Sequence, residues 1–303
     1  MVQITVDKSI FGTTLKAPIE IDRYLYTNLE ELHKWIKNDW DNIGLNVGME
    51  GAGKTETSFL IALALFGKLS LDQVFFNAEQ FFEWADNAPK GSIGIWDEGD
   101  QLGGHWANEV LKSIKTRMKR MRDRNLTVLI NTPTIEDLGK YFVIHRTRFL
   151  VYTFARAADN RGWYHLYSYQ QKHQLFLNIK KYGELKNTFD SCQKAVTNGY
   201  IKGISNQDCV KAAGGDWNVL LDFSKEEYKD KKAAATREVD TQAEKARYRY
   251  NKRVATAIVN LTRLEKVNLT QKEICNILGY KSNKEFKTYY DFAIKEGIFN
   301  GTV

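Results

Sequence analysis

The most informative stretch of this 303-residue chain is Gly48-Met49-Glu50-Gly51-Ala52-Gly53-Lys54-Thr55. It fits the pattern G-x-x-x-x-G-K-[ST], in which glycines let the backbone wrap around a phosphate with its N–H groups pointing inward. The lysine of this pattern reaches the β- and γ-phosphates, and the last hydroxyl binds Mg²⁺. A nucleoside triphosphate and Mg²⁺ are therefore the expected ligands; we take the nucleotide to be ATP, although the loop itself does not distinguish ATP from GTP. We expect the nucleotide to contact Gly48, Glu50, Gly51, Ala52, Gly53, Lys54, Thr55 and Glu56, with Thr55 also holding the metal.

The segments on either side of this loop strengthen the prediction. Residues 43–47 (IGLNV) read as a short apolar strand that runs straight into the glycines. Residues 54–66 (KTETSFLIALALF) follow as a helix that is apolar enough to be buried. The amino terminus of that helix would point at the bound anion, where the helix dipole favours negative charge.

A pair of carboxylates supplies the second half of the predicted site. Residues 93–96 (IGIW) form an apolar strand that ends in Asp97 and Glu98. We expect Asp97 to hold Mg²⁺ through water and Glu98 to polarise the attacking water. A glutamate directly after the metal-binding aspartate indicates hydrolysis with a built-in base.

Strands and helices alternate along residues 1–171, which predicts an α/β fold with right-handed crossovers and a mainly parallel sheet. After one or two short strands within residues 2–23, a helix covers residues 29–37. Beyond the loop, strands are expected at 73–77, 92–96 and 126–131, helices at 78–87, 106–124 and 135–145, and a hairpin at 148–154 and 163–169.

The quoted motifs resemble those of the additional-strand P-loop ATPases of the FtsK–HerA type. This group includes viral genome-packaging ATPases and zonular-occludens-toxin-like phage proteins. The resemblance rests on residues 48–55, on IWDEGDQ at 95–101 and on TVLINTPT at 127–134, and it covers about residues 43–154. It implies a RecA-like P-loop core. It also implies a polar sensor at the end of the third of these strands, where Asn131 and Thr132 stand.

The same resemblance implies a homo-oligomer, such as a ring, in which a neighbouring subunit supplies an arginine to the transition state. The basic helix at 106–124 offers such residues, and so does the segment after the sensor strand. An equally open interpretation of that helix is a solvated basic face or a DNA-facing surface. The candidates for the catalytic arginine are Arg117, Arg120, Arg124, Arg146 and Arg148.

Most of the excess positive charge lies near the C-terminus. The chain carries a net charge of +7. Residues 225–303 hold 17 Lys and Arg against 11 Asp and Glu. This asymmetry indicates contact with a polyanion, and double-stranded DNA is the expected partner.

Three short helices are expected at the C-terminus, within residues 254–266, 269–279 and 282–296. Their order resembles a helix-turn-helix, whose recognition helix would open with Ser282, Asn283, Lys284 and Lys287. A protein-interaction module of helices is the alternative. The expected organisation is an ATPase domain at 1–171, a loop-rich insertion or subdomain at 172–223, a charged helical connector at 224–253 and a small all-α domain at 254–303.

Composition excludes several other classes of protein. Three cysteines without C-x-x-C spacing give neither a disulfide framework nor a structural zinc site. No apolar run reaches the roughly 18 residues of a membrane helix, and the first residues do not resemble a signal peptide. We therefore expect a location in the cytoplasm, or in the host cytoplasm if the protein is viral.

Two functions from different classes fit these observations. The first is a Mg²⁺-dependent ATPase that couples hydrolysis to DNA translocation or packaging, as a viral, plasmid or conjugative motor would. The second is an ATP-gated DNA-binding or assembly switch with slow turnover. DNA should stimulate hydrolysis in the first, whereas in the second nucleotide should change DNA affinity while turnover stays basal.

Overall fold

A computed structural model of the chain describes residues 3–97, 121–135, 138, 140–156, 161–182, 201–202, 206–262 and 283–296. The chain divides into two compact units, residues 1–233 and residues 234–303. Among the described residues, no helix combines the length and apolarity that crossing a membrane requires.

The first unit is built on a seven-stranded sheet of order β4-β5-β6-β3-β7-β8-β9, with a separate antiparallel pair, β1 and β2. Strands β3 to β7 pair in parallel, and β8 and β9 add antiparallel edges. The strands are β1 Gln3–Lys8, β2 Thr14–Asp22, β3 Asn42–Val47, β4 Val74–Phe75, β5 Ile93–Trp96, β6 Thr127–Thr132, β7 Phe149–Phe154, β8 Trp163–Tyr167 and β9 Ile201–Lys202.

Seven α-helices lie within the described residues, together with short 3₁₀ turns and one π-helical turn. The α-helices are α1 Arg23–Lys37, α2 Lys54–Phe66, α3 Ala78–Asn87, α4 Tyr169–Tyr182, α5 Asn206–Cys209, α6 Lys225–Thr262 and α7 Asn283–Lys295. The 3₁₀ turns are Leu71–Gln73, Met121–Arg124, Lys211–Ala213 and Trp217–Val219, and the π-helical turn is Tyr141–Arg146.

This architecture confirms the predicted α/β fold with a mainly parallel sheet. The loop strand β3 and the carboxylate strand β5 are not neighbours, because β6 lies between them and pairs with both. The strand predicted at 73–77 forms as the two-residue β4 at the edge of the sheet, beside β5. The predicted hairpin forms as β7 and β8, paired from Leu150 with Tyr167 to Phe154 with Trp163.

Burial explains why the central elements form where they do. All six residues of β3 and all six of β6 are buried, as expected for inner strands of a covered parallel sheet. Helix α2 buries every residue from Thr57 to Leu65, so it is a core helix with no polar face. Helix α1 is amphipathic, and Asp22 caps it by accepting hydrogen bonds from the backbone of Tyr24 and Leu25.

Two predicted elements take a different form. The helix expected at 135–145 forms as the π-helical turn Tyr141–Arg146. Of the basic helix predicted at 106–124, only Met121–Arg124 is described, as a 3₁₀ turn.

Within residues 172–223, α4 extends to Tyr182 and β9 joins the sheet beside β8.

The second unit contains the end of α6 and helix α7. Ala255 of α6 and Ala293 of α7 form a small buried contact with Phe292. Helix α6 runs without a break from the predicted connector into residues 254–262, where a separate first helix was predicted, and α7 falls within the range of the predicted third helix. The helix predicted at 269–279 and its turn, with Ser282, lie outside the described residues, so the helix-turn-helix stays a prediction.

Candidate nucleotide-binding site

The glycine-rich loop follows the carboxyl end of β3, and its glycines are required by local geometry. A Cβ atom at Gly48 would lie 2.0 Å from the carbonyl oxygen of Thr153, so no side chain fits there. Gly51 and Gly53 adopt φ of +73° and +96°, conformations that glycine reaches without steric cost. The loop therefore closes against β7 and turns directly into α2.

Lys54 is the first residue of α2, and its side chain folds back across the loop. Its Nζ donates hydrogen bonds to the carbonyl oxygens of Gly48, at 2.7 Å, and Met49, at 3.0 Å. These contacts place the ammonium group beside the loop backbone. This is the location from which a lysine of this motif binds a phosphate.

The second predicted pair, Thr55 and Asp97, comes together although 42 residues separate them. The Thr55 hydroxyl donates to the Asp97 carboxylate, with Oγ1 3.2 Å from Oδ2 and 3.3 Å from Oδ1. Asp97 follows β5 and is only 3% exposed. The two residues meet because ligand-binding groups of an open parallel sheet gather at the carboxyl ends of its strands.

Asn131 joins this pair from the end of β6. Its Nδ2 donates to Asp97 Oδ1 at 2.8 Å, and its Oδ1 accepts from the Ser58 hydroxyl at 2.6 Å. The two bonds use both ends of the amide and so fix its orientation. The polar residue expected at the end of this strand therefore lies against the predicted metal-binding carboxylate.

Asn46 is a member of this network that sequence reasoning missed. It is 1% exposed, between the apolar residues Leu45 and Val47 of strand β3. Its Nδ2 donates to the Lys54 carbonyl at 2.6 Å and to Ser58 Oγ at 3.0 Å, and its Oδ1 accepts from the Thr153 hydroxyl at 2.6 Å. The available signal was an asparagine in the strand that leads into the loop. Buried polar groups of this kind are retained when they are hydrogen-bonded.

A cavity of about 760 Å³ opens beside the loop and Asp97. Its second wall comes from residues that no sequence motif indicated, including three lysines of α6 and several aromatic side chains. The lining residues used below are Lys54, Thr55, Phe59, Asp97, Asn131, Arg161, Trp217, Phe223, Lys225, Tyr228, Lys229 and Lys232.

Two residues of this second wall lie against the Asp97 carboxylate. The Tyr228 hydroxyl donates a hydrogen bond to Asp97 Oδ2, and Lys232 Nζ lies 3.9 Å from the same oxygen. Both stand in the first turns of α6, and 131 positions separate Tyr228 from Asp97. Tyr228 and Lys232 therefore complete the surroundings of Asp97.

The predicted arginines are not gathered at this cavity within the described chain. Arg146 lies at the amino end of β7, and its Nη2 forms a 2.6 Å ion pair with Asp41 Oδ2 at the amino end of β3. Arg124 donates to the Ala88 carbonyl at 2.9 Å. Arg146 is thus at the opposite end of the strands from the loop of its own chain. Glu98, Arg117 and Arg120 lie outside the described residues.

The donors at this edge suit a magnesium ion. Thr55 offers a hydroxyl oxygen and Asp97 a carboxylate, and Mg²⁺ binds oxygen ligands while keeping several of its waters. The described residues contain no cluster of three or more His, Cys, Asp or Glu side chains that could hold a metal by themselves. One carboxylate, one hydroxyl and the phosphates of a nucleotide would fit the coordination that Mg²⁺ requires.

Comparison with known proteins gives matches only among solved structures. No family model matches the chain, and no curated protein matches it. The DNA-packaging ATPase B204 of Sulfolobus turreted icosahedral virus is 14% identical, with a TM-score of 0.32, and the match covers 44% of this chain and 95% of that one. The N-terminal domain of zonular occludens toxin from Neisseria meningitidis is 18% identical, with a TM-score of 0.29, and the match covers 42% and 82%.

A third match, to a chain of the HORMA:CdnC:Trip13 complex of E. coli MS115-1, has 16% identity and a TM-score of 0.31. It covers 57% of this chain and 68% of that one. TM-scores and identities this low establish neither a family nor a function. The loop, the Asp97 carboxylate and the cavity are the basis for the function proposed below.

Proposed function

We propose that this protein is a Mg²⁺-dependent ATPase whose hydrolysis drives DNA translocation or packaging. The observation that carries the proposal is the convergence of Lys54, Thr55, Asp97 and Asn131 at one edge of the sheet. Lys54 and Thr55 begin the helix that follows β3, Asp97 follows β5, and Asn131 lies in β6. All four line one cavity. Loop lysine, hydroxyl and carboxylate are the parts that phosphoryl transfer uses.

Each of these residues has a distinct role in the proposed reaction. Lys54 would bind the β- and γ-phosphates and stabilise the charge that develops on them. Thr55 and Asp97 would hold the Mg²⁺, which supplies charge neutralisation between the phosphates. Asn131 would orient Asp97 and sense the γ-phosphate, and Glu98 would accept a proton from the attacking water.

The cavity beyond the loop suits the rest of a nucleotide. Its aromatic members, Phe59, Trp217 and Phe223, offer an apolar wall of the kind on which a purine base packs. Arg161, Lys225 and Lys229 add positive charge to the lining of the cavity. This charge favours a ligand with several phosphates.

The proposed coupling of hydrolysis to DNA is supported by the positive charge of the C-terminal residues and not by the geometry of the nucleotide site. Residues 225–303 carry +6 of the net charge of +7. Phosphate contacts by Lys and Arg supply most sequence-independent DNA affinity, and they weaken as salt rises. Translocation would require an oligomer, in which an arginine such as Arg117, Arg120 or Arg146 would act on the neighbouring site.

The test is steady-state ATP hydrolysis by wild type, Lys54→Ala and Glu98→Gln, each with and without double-stranded DNA at two salt concentrations. The proposal expects several-fold stimulation by DNA in wild type, weaker stimulation at high salt, and loss of turnover in both variants. Lys90→Ala is the matched control, because Lys90 is a surface lysine paired with Asp39, 2.7 Å away. Equal, slow turnover with and without DNA would reject the motor.

A nucleotide-gated DNA-binding switch is the second candidate. It is favoured by the contact of Tyr228 with Asp97, because α6 continues from that contact into the basic C-terminal residues. In that case DNA affinity should differ between the nucleotide-bound and nucleotide-free protein while turnover stays basal. Measuring DNA binding with a non-hydrolysable ATP analogue separates the two candidates.

A further inference from the structure

The first two turns of α6 pack against other residues of the first unit, beside Asp97. Ser224 and Glu227 cap the helix reciprocally, each accepting a hydrogen bond from the other's backbone N–H through its side chain. Lys231 Nζ donates to the carbonyl oxygens of Leu71 and Val74, both at 2.8 Å. The helix therefore starts at a defined place next to β4.

The ring of Tyr228 is held between two aromatic residues of the core. Its centroid lies 5.2 Å from that of Phe76 and 5.9 Å from that of Phe59, both in edge-to-face geometry. Such pairs contribute orientation as well as buried area. They direct the Tyr228 hydroxyl at Asp97 Oδ2, to which it donates.

The two oxygens of Asp97 have different surroundings. Oδ1 accepts from Asn131, and the Thr55 hydroxyl lies within hydrogen-bond distance of both oxygens. Oδ2 accepts from Tyr228 and also lies nearest to Lys232. The side of the carboxylate that faces α6 is therefore covered by a hydroxyl donor and a nearby ammonium group.

A magnesium ion held by Thr55 and Asp97 would draw on the oxygens of this carboxylate, and one of them, Oδ2, already accepts from Tyr228. Mg²⁺ keeps several waters, and these waters donate hydrogen bonds to nearby carboxylates. An oxygen that already accepts from a partly buried tyrosine is less available to them. A lysine 3.9 Å from that oxygen also opposes the approach of a second cation.

We propose that Tyr228 is a built-in competitor for the metal at Asp97, so that binding of Mg²⁺ with nucleotide requires the start of α6 to withdraw. The proposal rests on the proposed nucleotide site and adds a control element to it. Nucleotide without metal would bind through Lys54 and the loop backbone and would not draw on Asp97 Oδ2, so the hydrogen bond from Tyr228 would not oppose it. The opposition is specific to the metal-bound nucleotide.

The test is the affinity for a non-hydrolysable ATP analogue, measured by titration calorimetry with Mg²⁺ and with EDTA. Tyr228→Phe keeps the ring between Phe59 and Phe76 and removes only the hydroxyl. We expect it to tighten Mg²⁺-dependent binding about five- to tenfold, because a hydrogen bond to a carboxylate no longer has to break. Affinity in EDTA should be unchanged. Tyr250→Phe, which removes an exposed hydroxyl from the same helix, should match wild type in both conditions.

A second measurement follows the helix itself. Hydrogen–deuterium exchange at residues 229–233 of wild type should become faster when the analogue and Mg²⁺ are added together, and unchanged when the analogue is added in EDTA. Slower exchange with Mg²⁺ would overturn the proposal, since it would mean that α6 closes on the metal.

The binding results separate failure of this proposal from failure of the proposed function. If wild type binds the analogue with Mg²⁺ and Tyr228→Phe has the same or weaker affinity, the competitor is rejected and the nucleotide site stands. If wild type binds no analogue in either condition, the proposed function is rejected, and this inference is rejected with it.

Discussion

The central sheet has a carboxyl edge, where its parallel strands end, and an amino edge, where they begin. These two edges use charge in opposite ways. At the carboxyl edge, Lys54 donates to loop carbonyls, and Asp97 accepts from hydroxyl and amide groups beside a cavity. At the amino edge, Arg146 pairs with Asp41, whose side chain is 8% exposed, and the Arg148 guanidinium lies 4.9 Å from the ring of Trp40. The same strands, β3 and β7, run between these two arrangements.

The charged groups at the amino edge pair with one another and stabilise the fold, whereas those at the carboxyl edge are placed where a ligand could bind. Breaking an ion pair of low exposure, such as Asp41–Arg146, costs much free energy, because each partner would be left as an unpaired charge. Hydrogen bonds from neutral groups hold a carboxylate in place and can be exchanged for ligand contacts at lower cost. We therefore expect substitutions at the carboxyl edge to change nucleotide binding and substitutions at the amino edge to change stability.

Replacing Lys54 should give the largest effect and is the strongest test of that division. We expect Lys54→Ala to lower ATP turnover by about two to three orders of magnitude, because the cation that stabilises the developing phosphate charge is removed. The free energy of unfolding should change by only about 1 kcal/mol, because the hydrogen bonds of Lys54 to the Gly48 and Met49 carbonyls each contribute little net stability. Turnover assays and urea unfolding measure the two quantities. Turnover within a factor of two of wild type would contradict the assignment of the site.

The loop glycines provide a matched pair for the next largest effect. A Cβ at Gly48 would lie 2.0 Å from the Thr153 carbonyl oxygen, whereas one at Gly51 has no atom within 4 Å. We expect Gly48→Ala to lower the free energy of unfolding by roughly 3 kcal/mol through overpacking. Gly51→Ala should cost about 1 kcal/mol, because only its positive φ is strained. Equal losses in the two variants would show that the contact with β7 does not define the loop.

The ion pair at the amino edge should affect stability alone. We expect Asp41→Asn to lower the free energy of unfolding by about 2 kcal/mol, because Arg146 keeps its charge in a largely buried position without its partner. Affinity for the ATP analogue should equal that of wild type. Chemical unfolding and calorimetry give the two values. A fall in nucleotide affinity together with stability would show that the two edges are coupled.

Replacing Asn131 should lower the free energy of unfolding less than replacing Asp41 does. It should also weaken binding at the site by a measurable amount. Asn131→Ala removes the acceptor of the Ser58 hydroxyl and the amide donor to Asp97 Oδ1. The bonds that Asn46 donates to Ser58 and Thr55 to Asp97 remain. We expect a loss of about 1.5 kcal/mol in the free energy of unfolding, together with weaker Mg²⁺-dependent binding of the analogue. Ser58→Ala, which keeps the bond to Asp97, serves as its control. Unchanged Mg²⁺-dependent binding in Asn131→Ala would remove Asn131 from the metal site.

The smallest effect concerns pH and the buried Lys172 at the amino edge. Its Nζ donates to the carbonyls of Val143 and Thr147 and to Thr147 Oγ1, and burial lowers the pKa of Lys172 to about 7. Above that pH the folded chain has lost a proton that the unfolded chain still binds, so the free energy of unfolding rises with pH. Between pH 7 and 8.5 we expect a rise of about 1 kcal/mol per pH unit relative to Lys172→Met. Parallel pH profiles for the two proteins would contradict this assignment.

Local patterns in the sequence predicted much of this molecule. The loop at 48–55, the apolar strands around it and the carboxylate at Asp97 were all identified from neighbouring residues. Parallel strands separated by helices imply that polar strand ends meet at one edge, and the contact of Thr55 with Asp97 agrees with that expectation. These features were predictable because their physical causes, such as backbone freedom at glycine and hydrophobic periodicity, act over a few residues.

Only the tertiary structure decided which distant groups meet at the site. It placed β6 between β3 and β5, brought Asn46 into the polar network, and set Tyr228 against Asp97 across 131 positions. It also put Arg146 at the edge opposite the loop, beside Asp41. No local pattern encodes such contacts, because strand order and helix docking depend on how the whole buried surface packs.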